Sequence, residues 1–158
     1  MDEDQYIPYR EIVQKLNICS GDSILLTSDI LKLAMKARKK EREFSAAAFI
    51  DSFSDALGEE GTLLIPAYNY DLENGDAFSV ADTRPMTGAL ALAVMGAKGY
   101  LRTLHPLHSF FVRGKYASHL SEIKNISSFG PDSPFAWMLE KNILMVFAGT
   151  TVAEALTF

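Results

Sequence analysis

Cysteine is nearly absent from this sequence: Cys19 stands alone, so neither an intramolecular disulfide nor a site of several thiolates can be built. Long hydrophobic runs are missing too. The longest, such as residues 143–149, fall far short of the roughly 20 residues that cross a bilayer. The opening Met-Asp-Glu-Asp-Gln-Tyr lacks the apolar stretch of a secretory signal. We therefore expect a cytoplasmic chain with no membrane segment and no metal. Also missing are the Gly-x-Gly-x-x-Gly fingerprint, the Walker lysine loop, the His-Glu-x-x-His helix and the Gly-x-Ser-x-Gly elbow, which withdraws support from most standard enzyme classes.

What is present is an ordinary globular balance. Hydrophobic residues make up 48% and charged residues 22% of 158 positions, with six Pro and ten Gly, which excludes disordered, collagenous and repeat classes. A chain of this length can bury about 70% of its unfolded surface, and we expect one α/β domain over residues 1–158. The net charge of −5 argues against non-specific nucleic-acid binding. Its distribution says more. Lys32, Lys36, Arg38, Lys39, Lys40 and Arg42 cluster against one acid, Glu41. Residues 51–83 instead hold Asp51, Asp55, Glu59, Glu60, Asp71, Glu73, Asp76 and Asp82 with no Lys or Arg. Each block reads either as a solvated face or as a zone that attracts ions of opposite sign.

Periodicity orders the chain. Ile12, Val13 and Leu16 at helical steps predict a helix over 8–16, and Ser23 to Thr27 reads as a buried strand. Ser28 or Asp29 can cap a helix carrying Ile30, Leu31, Ala34 and Met35. Ser45 can cap another with Phe49, Ile50, Phe53 and Leu57, ended by Gly58. Gly61 to Pro66 is a second strand, Met86 to Gly96 a helix, His108 to Arg113 strand-like, and Ser133-Pro134 starts a short helix. Asn142 to Phe147 is a third buried run. Continuous apolar strands alternating with helices predict a mainly parallel sheet covered on both faces. The final segment from Thr150, ending on Leu156, Thr157 and Phe158, reads as an element cut part-way.

Two stretches carry chemistry. Tyr68 to Pro85 is a loop of a length that usually has a functional reason, and Tyr68, Tyr70 and Asp71 follow the second strand, where open α/β sheets bind ligands. Between Arg102 and Gly114 stand His105, His108, Ser109 and Arg113, groups able to bind phosphate, orient a thioester or relay a proton; the plainer reading is a Pro-terminated loop. The start at Ser133 offers free backbone N–H groups, on its own a weak pointer.

Taken in order, Gly61-Thr-Leu-Leu-Ile-Pro-Ala-Tyr68, Thr83-x-Pro-x-x-Gly88, Arg102-Thr-x-His-Pro-x-x-Ser109-x-x-x-x-Gly114 and Phe129-Gly-x-x-Ser133-Pro resemble the aminoglycoside 3-N-acetyltransferase family of antibiotic N-acetyltransferases, a family distinct from the GNAT enzymes. The resemblance spans nearly the whole chain. It implies a three-layer α/β fold of which 1–158 is the N-terminal part. It also implies acetyl-CoA (coenzyme A) as the cofactor, with Ser28, Asp29, Ile30, Arg102, Thr103, Ser109 and Phe110 matching its binding positions. Tyr68, Tyr70 and Asp71 are the expected substrate contacts. The acceptor would be a small-molecule amine, an aminoglycoside or an amino sugar, and the acid-only stretch slightly favours the polyamine.

Two departures stand out. Where the family commonly shows His-Ser-Ser-Leu, this chain has Leu26-Thr-Ser-Asp29. Family members also continue into a Thr-x-x-His-x-x-Glu segment bearing the histidine expected as general base, and Phe158 falls at or within its start. His105 is then the catalytic candidate within the chain, His119 lying on a polar helix. The alternative is a non-catalytic relative that keeps the fold, binds coenzyme A or a partner chain and acts through association, including as a homo-oligomer.

Overall fold

The computed structural model describes residues 6–41 and 43–155. Residues 1–5, Arg42 and the closing Leu156, Thr157 and Phe158 lie outside the described residues. Among the described residues no helix is long and apolar enough to cross a membrane.

Among the described residues five strands form one sheet in the order β3-β4-β2-β1-β5. They are β1 (Ser23–Ser28), β2 (Thr62–Pro66), β3 (Leu101–Arg102), β4 (Phe110–Gly114) and β5 (Leu144–Ala148). β1 pairs in parallel with β2, Ile24 opposite Leu63, and with β5, Leu26 opposite Val146. β4 runs antiparallel to β2, placing Phe110 beside Pro66 and Gly114 beside Thr62, and β3 runs antiparallel to β4. Four strands thus share one direction and β4 alone opposes it. The sheet is mixed, a feature that periodicity does not reveal because the buried apolar start of β4, Phe110 to Val112, reads the same whichever way the strand runs.

Alternation along each strand feeds two cores, as strand geometry requires. Ile24, Leu26, Leu63 and Ile65 face one layer, where α1 (Leu31–Glu41), α2 (Ala46–Leu57) and α3 (Ala89–Val94) contribute Ala37, Phe49, Phe53 and Leu90. Leu25, Leu64, Phe110 and Val112 face the other, against Leu120 of α4 (Ala117–Ser121) and Trp137 and Met138 of α5 (Pro134–Glu140). That is the three-layer α/β arrangement, helices on both faces. Ser45 caps α2 through its side-chain oxygen, 3.2 Å from Ala48 N, and Ser133 caps α5 at 3.1 Å from Ala136 N. A last short helix, α6, covers Val152–Ala155.

Two local expectations change. The first apolar cluster winds only into a 3-10 turn, Ile12–Lys15, with Val13 alone buried, since a segment this short gains too few i→i−4 bonds to propagate an α-helix. Among the described residues the run at 142–147 is not fully buried: β5 pairs there with β1, and Leu144 and Met145 are each 43% exposed.

The ladder between β2 and β4 ends where two glycines meet. Gly114 has φ 106°, and a Cβ there would run into the backbone carbonyl of Gly61, leaving no room for a side chain. Gly114→Ala should destabilise the fold by at least about 1–3 kcal/mol from backbone strain, before any clash. Gly75, with φ 89° but open space around it, should cost less on the same change, as urea unfolding of the two variants will show.

Candidate functional site

A cavity of about 710 Å³ opens outside the carboxyl ends of β1 and β2, where open α/β sheets place ligands. Its floor continues both cores: Leu25 and Met138 from one side, Ile65, Leu90 and Ala91 from the other. An aromatic wall of Tyr68, Tyr70, Phe129 and Phe135 closes one flank. Thr27, Ser28, Thr87 and Asn142 supply polar atoms. Among the described residues no Asp, Glu, Lys, Arg or His lines it.

The wall is built as a ring cluster. Tyr68 stands edge-on to Tyr70, His108 and Phe110, with centroids at 6.3, 5.0 and 5.5 Å. Phe135 meets Phe110 at 5.2 Å and Phe129 at 4.8 Å. These separations suit aromatic pairs. Burial, with Tyr70 adding to it, pushes the Tyr68 phenol well above its ordinary 10.0, because the interior disfavours the phenolate.

Behind the wall the long loop is tied down. Arg102, 4% exposed, donates from Nε to Ser109 Oγ at 3.0 Å, from Nη2 to the Ala67 carbonyl at 3.2 Å and from Nη1 to the Thr83 carbonyl. Ser109 Oγ donates to the same Ala67 carbonyl at 2.8 Å. The guanidinium also lies 5.0 Å from the Phe78 ring centre and 5.2 Å from that of Phe111, a cation–π setting. Burial pulls its pKa below the usual value. Asn69 adds a bond from Nδ2 to the Arg84 carbonyl at 2.9 Å, and Tyr68 N donates to Thr87 Oγ1 at 3.0 Å.

This geometry redistributes the expected cofactor residues. Ser28 lines the cavity. Asp29 does not; its carboxylate accepts from Leu31 N at 3.0 Å and steadies the start of α1. Ile30 packs into the core. Arg102, Thr103, Ser109 and Phe110 are all buried, and Thr103 Oγ1 accepts from Phe110 N at 2.9 Å. Their side-chain polar atoms bond to one another, to the Phe110 N–H and to the Ala67 and Thr83 carbonyls, which braces the wall. Of the expected substrate contacts, Tyr68 and Tyr70 line the cavity, whereas Asp71 is exposed beside it and does not.

His105 is held as a structural ring. Its Nδ1 accepts from Leu107 N at 3.2 Å and His108 N at 3.1 Å, and Nε2 lies 3.2 Å from the Ile126 carbonyl. A carbonyl only accepts, so Nε2 carries the proton and the Nδ1 lone pair is already used. Both ring nitrogens are thus engaged by backbone groups in this placement. Ser128 Oγ lies 3.3 Å from His105 Nε2 and 2.7 Å from His108 Nδ1, linking the two rings to the 126–128 turn. His119 sits on α4, beyond the opposite end of β4.

The acid stretch also divides. Asp51 pairs with Arg113 at 3.7 Å and Glu60 with Lys115 at 2.8 Å, and the second pair lies at the amino end of β2. Lys115 holds the exposed Glu60 carboxyl below its usual value, chiefly by hydrogen bonding and then by charge. Asp71, Asp76 and Asp82 remain on the loop that leaves β2's carboxyl end.

The model of the aminoglycoside 3-N-acetyltransferase family matches residues 34–158. The chain belongs to that family. A search of the curated proteins finds no match. Solved structures share the family's fold. A crystal structure of AAC(3)-IVa, an aminoglycoside acetyltransferase, superposes with TM-score 0.72 at 21% identity over 93% of this chain and 57% of its own. The YokD protein from Bacillus subtilis gives 0.69 at 19% over 82% and 59%. A binary complex of AAC-IIIb with CoASH gives 0.64 at 18% over 84% and 54%. The chain thus spans 54–59% of the length of these solved relatives.

Sequence reasoning missed the contribution of Phe129, Phe135, Met138 and Met145 to the cavity. Two motifs on which the resemblance rests, Thr83-x-Pro-x-x-Gly88 and Phe129-Gly-x-x-Ser133-Pro, were the available signal: Thr87 and Gly88 of the first and Phe129 and Gly130 of the second line the cavity.

Two outcomes follow. Arg102→Met and His105→Ala should each lower stability by about 1–3 kcal/mol, since each strands buried backbone groups, measured by urea unfolding near neutral pH. For Tyr68 the folded-state pKa exceeds the unfolded one, so its neutral form contributes stability that is intact below about pH 10 and lost as the pH rises above it. The unfolding midpoint should fall more steeply above pH 10 in the parent than in Tyr68→Phe.

Proposed function

We propose that this chain carries the donor-binding part of an acetyl-coenzyme A-dependent N-acetyltransferase acting on an amino group of an aminoglycoside or amino sugar. One observation carries the reading: in a chain matched to this family over 34–158, a ligand-sized cavity stands at the carboxyl ends of β1 and β2. The AAC-IIIb complex with CoASH supports the choice of cofactor. The residues present suit it. A cavity with scattered polar atoms and no charged side chain among its described lining residues suits the acyl end of the donor, and α1, which carries the basic residues, follows β1 in the chain.

Bound acetyl-coenzyme A supplies an activated acyl carbonyl. Ser28, at the end of β1, offers a hydroxyl at the cavity's polar edge, and Tyr68 and Tyr70 present ring faces that shield the site from water. Asp71, Asp76 and Asp82 on the neighbouring loop draw a cationic amine toward it. His105 and Ser128 hold the 105–108 turn that supports His108 behind the aromatic wall.

A second reading, a non-catalytic relative that binds coenzyme A, is favoured by one observation: both ring nitrogens of His105 are committed to backbone groups. Calorimetry with coenzyme A and a turnover assay with an aminoglycoside separate the two. Saturable heat weakened at least about tenfold by Ser28→Trp, together with acetylation, supports the enzyme. The same heat without acetylation supports the second reading, and no saturable heat removes both.

A further inference from the structure

We infer that the cavity takes the aliphatic tail of the acyl donor, so that coenzyme A thioesters with acyl chains longer than acetyl bind this protein better than acetyl-coenzyme A does. This rests on the proposed reading that the chain binds a coenzyme A thioester and goes beyond it in naming the acyl class.

Size comes first. A volume of about 710 Å³ lies within the roughly 300–1,000 Å³ of pockets that enclose whole organic ligands, and a two-carbon acyl group would leave most of it unfilled. Lining chemistry comes second. The floor of Leu25, Ile65, Leu90 and Met138 is an outcrop of the two cores, and burying methylene groups on such a surface is favourable.

Charge decides between donor and acceptor. A polyammonium acceptor entering the cavity would shed water with no carboxylate among the described lining residues to replace it, at a high cost for each charge. An acyl tail meets no such penalty. The donor's phosphates need cations outside the cavity, and α1, which follows β1 directly, carries Lys32, Lys36 and Lys39 on its exposed surface. None of the salt bridges among the described residues engages them. An uncharged cavity followed in sequence by a cationic helix complements a molecule with an apolar tail and an anionic head.

The test uses the full 158-residue chain with free coenzyme A and its acetyl, butyryl, hexanoyl and octanoyl thioesters in calorimetry, with sedimentation of the same samples. Leu139 and Met145 line the cavity yet are 83% and 43% exposed, so Leu139→Glu and Met145→Glu change its lining with little risk to folding. Affinity should rise by about two- to fourfold per added methylene from acetyl to hexanoyl. Both variants should flatten that increment, read on each variant as the ratio of each thioester's affinity to that of free coenzyme A. Equal affinity for all thioesters, or an increment that both variants leave intact, overturns the inference while the coenzyme A reading stands. A dimer dispersed by the Glu variants, with no dependence on chain length, gives the cavity mouth to a second copy and overturns it as well. If neither free coenzyme A nor any thioester binds, the underlying reading fails and this inference with it.

Discussion

A buried guanidinium holds the site together. No salt bridge among the described residues reaches Arg102; its charge is met by the Ala67 and Thr83 carbonyls, the Ser109 hydroxyl and the faces of Phe78 and Phe111. Those partners come from the end of β2, the long loop and the start of β4. An uncompensated buried charge is costly, so these pieces are held in contact, and the loop can leave β2 only along the path that sets Tyr68 and Tyr70 at the cavity. A lysine would not substitute, because a point charge cannot bond three directions in one plane.

Strand direction does the rest. Because β4 opposes its neighbours, the turn before it, residues 105–109, arrives at the same sheet edge as the ends of β1 and β2. His108 therefore packs behind Tyr68, and Ser128 links the 126–128 turn to both histidines. A parallel β4 would have sent this turn to the far edge, where Glu60, Lys115 and His119 now lie.

Charge segregates along the same axis. The described lining of the cavity carries no charged side chain, the loop beside it holds acids, and the helix leaving β1 is cationic. Cations and anions are thus drawn to separate approaches while the interior between them remains apolar.

Much of the fold was legible. The apolar stripes of Phe49, Ile50, Phe53 and Leu57, the caps at Ser45 and Ser133 and the strands at 23–28 and 62–66 are local features, written in periodicity and in side chains that bond their own backbone. The motifs around Tyr68, Gly88, Arg102 and Ser133 located the region of the site. What they could not say is which way each residue faces. The resemblance set Arg102, Thr103 and Ser109 at cofactor positions; the burial of the Arg102 and Ser109 side chains depends on partners tens of residues distant, Ala67 and Thr83 among them. His105 read as a base because a histidine's chemistry is visible in sequence while the two N–H groups that occupy its lone pair are not. By itself the sequence determined most of the elements and the family. Tertiary structure alone decided the direction of β4, the exposure of β5 and the division between residues that line the cavity and residues that brace it, since all three depend on non-local contacts that no window of sequence contains.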